Sequence, residues 1–223
     1  VTKEGSGDEA LNVRISTGKE ALDGLLVVPE GARTLVLFAH GSGSGRNSPR
    51  NRFVAQKLNE AGAATLLFDL LTHDEEAFDI QTAQYRFNIP FLAERLLQAT
   101  RWARENKSTD DLCIGYLGAS TGAAAALVAA AELGPTVGAV VSRGGRPDLA
   151  GRALARVQAP TLLIVGGEDD VVIGVNEQAR VQMHCEVQLE IIAGATHLFE
   201  EEGALARVAQ LAANWFFSKV IKV

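Results

Sequence analysis

The amino-acid sequence predicts an α/β domain built on a mostly parallel, doubly wound sheet with helices on both faces. Short apolar runs of buried-strand length alternate with longer helix-like stretches, which is the pattern of a parallel sheet covered on each side. The chain has 223 residues, of which 47% are apolar, and this is enough for a single core. We therefore expect one domain over residues 1–223, with its core at about 11–220 and no internal repeat or linker.

Eight segments have the length and the apolar character of strands. The first two are expected to form an antiparallel pair, and the others to form the buried, mainly parallel part of the sheet. The predicted strands are residues 11–15, 21–28, 34–39, 64–69, 112–117, 137–142, 161–165 and 187–192.

The stretches between these strands are predicted helices. In the longest of them, Pro90 is expected to break or kink the helix, because proline lacks the N–H that an interior turn needs. The predicted helices are residues 49–61, 81–106, 121–133, 148–157, 172–184 and 198–220.

Charge and hydropathy exclude several classes of protein. The formal net charge is −6 with a pI of about 5.3, whereas non-specific nucleic-acid binding needs a basic surface. No apolar run approaches the roughly 18 residues of a membrane span, and residues 1–7 lack an apolar segment of signal-peptide type. We expect a cytoplasmic protein without membrane attachment. Cys113 and Cys185 are expected to stay free as small buried side chains.

The most informative motif is Gly-Ala-Ser-Thr-Gly at residues 118–122, which follows an apolar run and opens an alanine-rich one. In a nucleophile elbow, a serine sits on a strained strand-to-helix turn, and small neighbours allow the backbone to turn sharply. The motif alone is weak evidence, because 22 of the 223 residues are glycine. Its place between a predicted strand and a predicted helix indicates that Ser120 is a nucleophile.

Other polar residues follow the predicted strands. The carboxyl ends of parallel strands meet at one edge of the sheet, where ligands bind. This edge receives the oxyanion-loop candidate at residues 40–46, Ser120, the acidic loop at residues 166–170, and His197. A serine, an acid and a histidine therefore occur in this order at one edge.

These residue types are the ones that acyl transfer requires. The hydroxyl of Ser120 needs a base, for which His197 is the candidate, and the imidazole needs a carboxylate on its other nitrogen. Asp169 is the candidate acid, although an aspartate at this point could instead cap a helix, and physical reasoning alone does not separate it from Asp170. Backbone N–H groups of Ser42 and Thr121 are the predicted oxyanion donors.

The remaining histidines and carboxylates are expected to have structural roles. His40 is predicted to hold the turn before the oxyanion loop, His184 to lie on the surface at the opposite edge, and His73 to lie in a solvated acidic loop. The acidic runs at residues 74–76 and 200–202 lack the histidine or cysteine spacing of a metal site, and the second run suits a helix start. We expect no metal and no cofactor. No lysine follows the glycine-rich loop as in a P-loop.

Four motifs resemble those of α/β-hydrolases of the dienelactone hydrolase-like group, over about residues 11–220. They are residues 40–44, 118–122, 166–169 and 194–199. The resemblance implies that the acid is the second residue after the glycine pair, Asp169, and that the base is His197. Dienelactone hydrolases themselves use a cysteine nucleophile, so Ser120 favours general ester chemistry over a lactone substrate. Similar proteins also occur beside or fused to phosphoribosyltransferase-like domains.

Two features constrain the substrate. Only one helix fits between residues 142 and 161, where related hydrolases commonly insert a cap, so we expect no cap domain and an open site. Five arginines fall near the predicted catalytic edge, and guanidinium forks bind carboxylate or phosphate well. Arg46 and Arg143 are candidates to bind an anionic group of the substrate, and the alternative is that the arginines form ion pairs that stabilise loops. The full set is Arg46, Arg50, Arg52, Arg143 and Arg146.

The sequence therefore predicts a serine hydrolase that cleaves small carboxylic esters or lactones through an acyl-enzyme on Ser120. A thioesterase or acyltransferase with the same triad is one alternative, and a non-catalytic interaction module with this fold is another. The complete set of nucleophile, base, acid and oxyanion loop argues against the second alternative. The expected partner is a small-molecule substrate, and the sequence gives no indication of oligomeric state.

Overall fold

The computed structural model describes residues 10–18 and 20–220, which form an eight-stranded sheet with helices on both sides. The strands are β1 (Leu11–Ser16), β2 (Ala21–Val27), β3 (Thr34–Ala39), β4 (Ala64–Phe68), β5 (Cys113–Ala119), β6 (Val137–Arg143), β7 (Thr161–Gly166) and β8 (Val187–Ile192). The helices are α1 (Pro49–Glu60), α2 (His73–Thr82), α3 (Ile89–Glu105), α4 (Thr121–Leu133), α5 (Asp170–Gln182) and α6 (Ala204–Val220). Residues 1–9, 19 and 221–223 lie outside the described residues. The prediction that residues 1–7 lack a segment of signal-peptide type falls in this part of the chain.

The strand order is β1-β2-β4-β3-β5-β6-β7-β8. β1 pairs with β2, and β2 with β4, in antiparallel register, whereas every pairing from β4 through β3 to β8 is parallel. The predicted mostly parallel sheet with an opening antiparallel pair is confirmed. Because β5, β6, β7 and β8 are neighbours, their carboxyl ends form one continuous edge.

The two faces of the sheet bury separate layers of apolar side chains. In β3, Leu35 and Leu37 belong to one layer, and Val36 and Phe38 to the other, as the two-residue period of a strand requires. Helices α3, α4 and α5 pack on the first face, and α1 and α6 pack on the second. A doubly wound α/β architecture with helices on both faces is therefore confirmed.

The acidic run at residues 74–76 was predicted to be a solvated loop, and this prediction is wrong. The run forms the first turn of α2. The hydroxyl of Thr72 accepts from the Glu75 N–H, and the Glu75 carboxylate accepts from the Thr72 N–H. This reciprocal capping satisfies two helix donors, and the negative charges suit the positive end of the helix. His73 is exposed in this turn.

The long helix predicted over residues 81–106 is wrong in its first third. α2 ends at Thr82 and is followed by Ala83, which adopts a left-handed conformation with φ of 53°, and α3 begins only at Ile89. The side chain of Asn88 accepts from the Phe91 N–H. Pro90 therefore lies in the first turn, where the missing N–H has no helical partner to lose, and it starts the helix instead of kinking it.

Two further helix predictions differ from the structure. Residues Pro147–Arg156 form a 3₁₀ segment interrupted at Gly151, where φ is 51°. α6 begins at Ala204 instead of residue 198, and Phe199 has a φ of 56°, so the acidic run at residues 200–202 precedes the helix. The described residues 144–160 contain only the 3₁₀ segment between β6 and β7, so no cap domain is inserted at this point.

Within the described part of the chain, no helix has the length and apolar character that crossing a bilayer requires. Cys113 and Cys185 are both free and half-buried.

Candidate active site

Ser120 occupies a strained turn between β5 and α4. Its φ of 50° and ψ of −121° lie in a region that residues with side chains rarely adopt, at a cost of about 1–3 kcal/mol. Hydrogen bonds hold the turn: the Ser120 N–H donates to the Arg143 carbonyl at 3.3 Å, and the Ser120 carbonyl accepts from the N–H groups of Ala123 and Arg146 at 3.1 Å each. The surrounding backbone therefore imposes the conformation that presents the Ser120 side chain.

The glycines on either side of Ser120 are required by close backbone contacts. A Cβ atom on Gly122 would lie 2.1 Å from the Ala39 carbonyl oxygen, and one on Gly118 would lie 2.4 Å from the Ala123 Cα. Backbone atoms cannot move aside as a flexible side chain can. The motif therefore reflects the packing of the elbow against β3 and α4.

We expect Gly122→Ala to lower the free energy of unfolding by about 1–3 kcal/mol or more, because the added methyl overlaps the backbone of β3. Gly174→Ala is the matched control, since no atom lies within 4 Å of a Cβ at that helical position. It should instead stabilise the protein by about 0.5–1 kcal/mol. Denaturant unfolding measures both changes, and equal stability of Gly122→Ala and wild type would contradict this account of the elbow.

The structure brings Asp169 and His197 together. The Asp169 Oδ2 lies 2.6 Å from the His197 Nδ1, and the two side chains are 17% and 39% exposed. Asp169 occupies the position before the first residue of α5, but its side chain makes no capping hydrogen bond there. Asp170 is exposed in the first turn of α5. The geometry therefore separates the two aspartates that sequence reasoning left open.

The loops that carry the acid and the histidine are fastened to each other. The Gly167 N–H donates to the Ile192 carbonyl at 2.8 Å, and the Glu168 N–H donates to the Ala195 carbonyl at 2.9 Å. A Cβ on Gly166 would lie 2.4 Å from the Ala195 oxygen. The glycine pair thus allows the end of β7 to approach the loop that follows β8, and this approach sets the contact between Asp169 and His197.

Ser120 and His197 line the same cleft, which has a volume of about 250 Å³. Among the described residues, the Ser120 hydroxyl makes no hydrogen bond, so Ser120 and His197 share the cleft without a hydrogen bond between them. Such bonds are often long without substrate and shorten in the reactive complex. With Nδ1 turned to Asp169, Nε2 is the ring nitrogen of His197 that Asp169 does not occupy.

The two predicted oxyanion donors are in different situations. Thr121 is the first residue of α4, where a backbone N–H has no partner within the helix. The Ser42 N–H donates to the Thr121 hydroxyl at 3.1 Å. Sequence reasoning did not anticipate this bond, which ties the loop at residues 40–46 to the turn at Ser120 and occupies one of the two predicted donors in this structure.

His40 fastens the base of the oxyanion loop. Its Nε2 accepts from the Leu70 N–H at 2.9 Å, and its Nδ1 lies 2.9 Å from the Gly41 carbonyl oxygen. Since Nε2 must be unprotonated to accept, Nδ1 carries the proton and donates. Burial lowers the pKa of His40, which favours this neutral form. The expected role of His40 in holding the turn agrees with these contacts.

Arg46 and Arg143, the two candidates for binding an anion, differ in their partners. Arg46 forms an ion pair with Asp69 and lies 3.5 Å from a carboxylate oxygen of Asp23, so it behaves as the loop-stabilising alternative predicted. Arg143 is buried and has no carboxylate within 4.0 Å among the described residues; its Nη2 donates to the Asn51 Oδ1 at 2.9 Å. Arg143 also lines the cleft beside Ser120.

Sequence reasoning missed Asn51, which orients Arg143. The available signal was a polar residue on the buried side of the predicted first helix, and such residues more often cap or hydrogen-bond locally. In residues 10–18 and 20–220, no three histidine, cysteine or acidic side chains are grouped as metal ligands would be.

Known proteins share the sequence and the fold of this chain. A family model described as the dienelactone hydrolase family matches residues 22–222. The crystal structure of a dienelactone hydrolase from Anabaena variabilis is 57% identical, with a TM-score of 0.94, and the match covers 96% of this chain and 99% of that chain.

More distant solved structures share the fold. Est1E from Butyrivibrio proteoclasticus, solved with ferulic acid bound, is 18% identical with a TM-score of 0.79, and the match covers 94% of this chain and all of that one. A dienelactone hydrolase-like promiscuous phosphotriesterase from metagenomic libraries is 22% identical with a TM-score of 0.77, over 96% of this chain and 99% of that one.

Two curated relatives come from strains of Mycobacterium tuberculosis, and each is named "Putative phosphoribosyl transferase". Each is 54% identical over 204 residues, which is 92% of this chain and 45% of the relative. The chain therefore spans less than half the length of these relatives.

Proposed function

Because this chain belongs to the dienelactone hydrolase family, we propose that it is a serine hydrolase that cleaves small carboxylic esters or lactones through an acyl-enzyme. Family membership supports a hydrolase of the α/β-hydrolase type. The observation that carries the finer proposal is that Ser120, on its strained turn, shares one cleft with His197, whose Nδ1 is held 2.6 Å from Asp169.

In the proposed acylation step, the Nε2 atom of His197 takes the proton of the Ser120 hydroxyl as Oγ attacks the ester carbonyl carbon. The tetrahedral intermediate collapses when the imidazolium returns the proton to the leaving alcohol. Water then attacks the acyl-enzyme while His197 takes its proton, and the imidazolium returns that proton to the Ser120 Oγ as the carboxylic acid is released. Asp169 accepts the Nδ1 proton of His197, which fixes the tautomer and stabilises the positive charge that develops.

We propose that the Thr121 N–H and the Ser42 N–H stabilise the oxyanion, each donor lowering the activation barrier by about 3 kcal/mol. The Thr121 N–H lies at the positive end of α4. The Ser42 N–H would exchange the Thr121 hydroxyl, 3.1 Å away, for the oxyanion. The hydroxyl would thus hold the loop in place until the transition state forms.

Residues 144–160 contain only the 3₁₀ turns. No segment inserted between β6 and β7 therefore covers the cleft at Ser120. An open cleft of about 250 Å³ fits esters with a small or medium acyl group better than a long lipid chain. A serine nucleophile also favours general esters, since its hydroxyl attacks the ester carbonyl while His197 takes the proton. The phosphoribosyl transferase name of the longer relatives does not identify an activity for the segment that this chain matches.

The test is a panel of oxygen esters of increasing acyl length, assayed beside the thioester of each acid, with a fluorophosphonate probe to locate the nucleophile by mass spectrometry. We expect covalent labelling of Ser120 and a higher kcat/KM for the oxygen esters. Preference for the thioesters would favour the thioesterase alternative. Failure to hydrolyse any ester, together with no labelling of Ser120, would leave the non-catalytic module.

A further inference from the structure

The loop after β6, at residues 144–146, contacts both the nucleophile turn and the histidine. The Arg146 N–H donates to the Ser120 carbonyl at 3.1 Å. Gly144 has a φ of 51°, and a Cβ atom at this position would lie 3.0 Å from the His197 carbonyl oxygen. The loop therefore lies between Ser120 and His197, and its position helps to set the distance between them.

Asn176 attaches this loop to the helix that follows the candidate acid. The residue is fully buried on α5, and its Nδ2 atom donates to the Gly145 carbonyl at 3.0 Å and to the Val172 carbonyl at 2.8 Å. Both partners are carbonyl oxygens, which only accept, so the orientation of the amide is fixed. Val172 lies in the first turn of α5, three residues after Asp169. Asn176 therefore joins the helix that begins beside Asp169 to the loop that holds Ser120.

The stability of the fold does not by itself account for an amide at residue 176. The Asn176 Oδ1 atom is buried without a hydrogen-bond partner among the described residues. A buried polar atom in this state lowers stability, and an apolar side chain of similar size avoids that cost. The two hydrogen bonds that Nδ2 donates are therefore what asparagine supplies at this position and an apolar residue does not.

We propose that Asn176 is a positioning residue for the hydrolysis. By holding the Gly145 carbonyl, it keeps the turn of Ser120 at the distance from His197 at which Nε2 takes the hydroxyl proton. Asn176 does not line the cleft, so it acts through the backbone of the loop and not on the substrate. The proposal rests on the serine hydrolase function proposed above, because the distance matters only if this proton is transferred. A displacement of about 1 Å between reacting groups costs about 100-fold in rate.

Asn176→Leu tests the proposal, because leucine is similar in size and has no side-chain donor. With a small ester, kcat should fall about 10-fold or more while KM stays within about twofold, since the change affects proton transfer and leaves the wall of the cleft intact. Asn59→Leu is the matched control. The Asn59 amide also donates to a backbone carbonyl, that of Ala63 at 2.9 Å, but it lies at the end of α1 that leads into β4, and kcat should match wild type.

Asn176→Ala covers the case in which leucine does not fit at this position. Alanine needs no additional space and removes the same two hydrogen bonds, so it should show the same loss in kcat with little change in KM. Circular dichroism at the assay temperature establishes that each variant is folded. Wild-type kcat in either folded variant of Asn176, or an equal loss in Asn59→Leu, would overturn the proposal.

Proton NMR shows whether the nucleophile turn or the acid–histidine pair has been disturbed. The Nδ1 proton of His197, in its bond to Asp169 at 2.6 Å, should give a downfield resonance. Asn176→Leu should retain this resonance, because backbone bonds from Gly167 to Ile192 hold the two loops together without Asn176. Loss of the resonance would show that Asn176 acts on the acid–histidine pair, and the role assigned to it at the turn of Ser120 would be wrong.

Hydrogen exchange separates this proposal from the proposed function, because it requires no turnover. The Arg146 amide, which donates to the Ser120 carbonyl, should exchange about fivefold or more faster in Asn176→Leu than in wild type, as the loss of a hydrogen bond that holds the loop allows. If wild type hydrolyses esters but neither kcat nor this exchange rate changes in Asn176→Leu, the positioning role is wrong and the hydrolase stands. If exchange accelerates but wild type hydrolyses no ester, the hydrolase is wrong and the hold of Asn176 on the loop stands.

Discussion

Replacing Ser120 by alanine is expected to lower kcat for ester hydrolysis by about 10⁴- to 10⁶-fold, the range seen when a triad nucleophile is removed. The change deletes only the attacking oxygen, because the strained turn is held by backbone hydrogen bonds of residue 120 that alanine retains. Initial-rate kinetics with a small ester measure the loss. The remaining activity would come from substrate binding and the oxyanion donors alone.

Ser44→Ala is the matched control for this substitution, because Ser44 places another serine on the wall of the same cleft. Its hydroxyl has no base such as His197 assigned to it, so kcat should stay within about tenfold of wild type. Circular dichroism and thermal unfolding should show both variants folded. Comparable losses in the two variants, or activity that survives in Ser120→Ala, would contradict the proposed nucleophile.

Replacing Asp169 by asparagine is expected to lower kcat by about 10⁴-fold. The carboxylate now accepts the Nδ1 proton of His197 at 2.6 Å. An asparagine amide can instead donate to Nδ1, which puts the imidazole proton on Nε2 and leaves that nitrogen unable to take the proton of Ser120. The affinity for a non-reactive substrate analogue should change little, since Asp169 does not line the cleft.

Asp170→Asn provides an adjacent change of equal charge and size. Asp170 is exposed in the first turn of α5, so this substitution should alter stability by only about 0.3–1 kcal/mol through the helix dipole, with little effect on kcat. A larger loss in Asp170→Asn than in Asp169→Asn would show that the acid has been assigned to the wrong residue.

The strands could be predicted well because their signal is local. A buried parallel strand is apolar throughout its length, and β3, β4 and β7 are apolar or threonine runs that are buried at every residue. Their order in the sheet was not predicted. It depends on which strands pair over long separations, as β3 does with both β4 and β5.

Helix starts were predicted less well because caps compete with charge and periodicity. Thr72 and Asn88 begin α2 and α3 through side-chain hydrogen bonds to the backbone, whereas the acidic run and Pro90 had suggested a loop and a break. An acidic run and a proline are both consistent with the first turn of a helix. The prediction of a solvated loop at residues 74–76 was therefore wrong, and Pro90 starts a helix instead of interrupting one.

The sequence by itself determined the fold class and the edge of the sheet at which Ser120 and His197 lie, because strand patterns and the residues after them are local features. Only the tertiary structure decided which of two adjacent aspartates contacts His197, and that Arg46 is paired with Asp69 whereas Arg143 is held by Asn51. Asp169 and His197 are 28 residues apart, and Arg143 and Asn51 are 92 apart. Contacts over such separations depend on how the loops pack together. Residues of the same type, such as the two aspartates, then differ in their burial and in their hydrogen-bond partners.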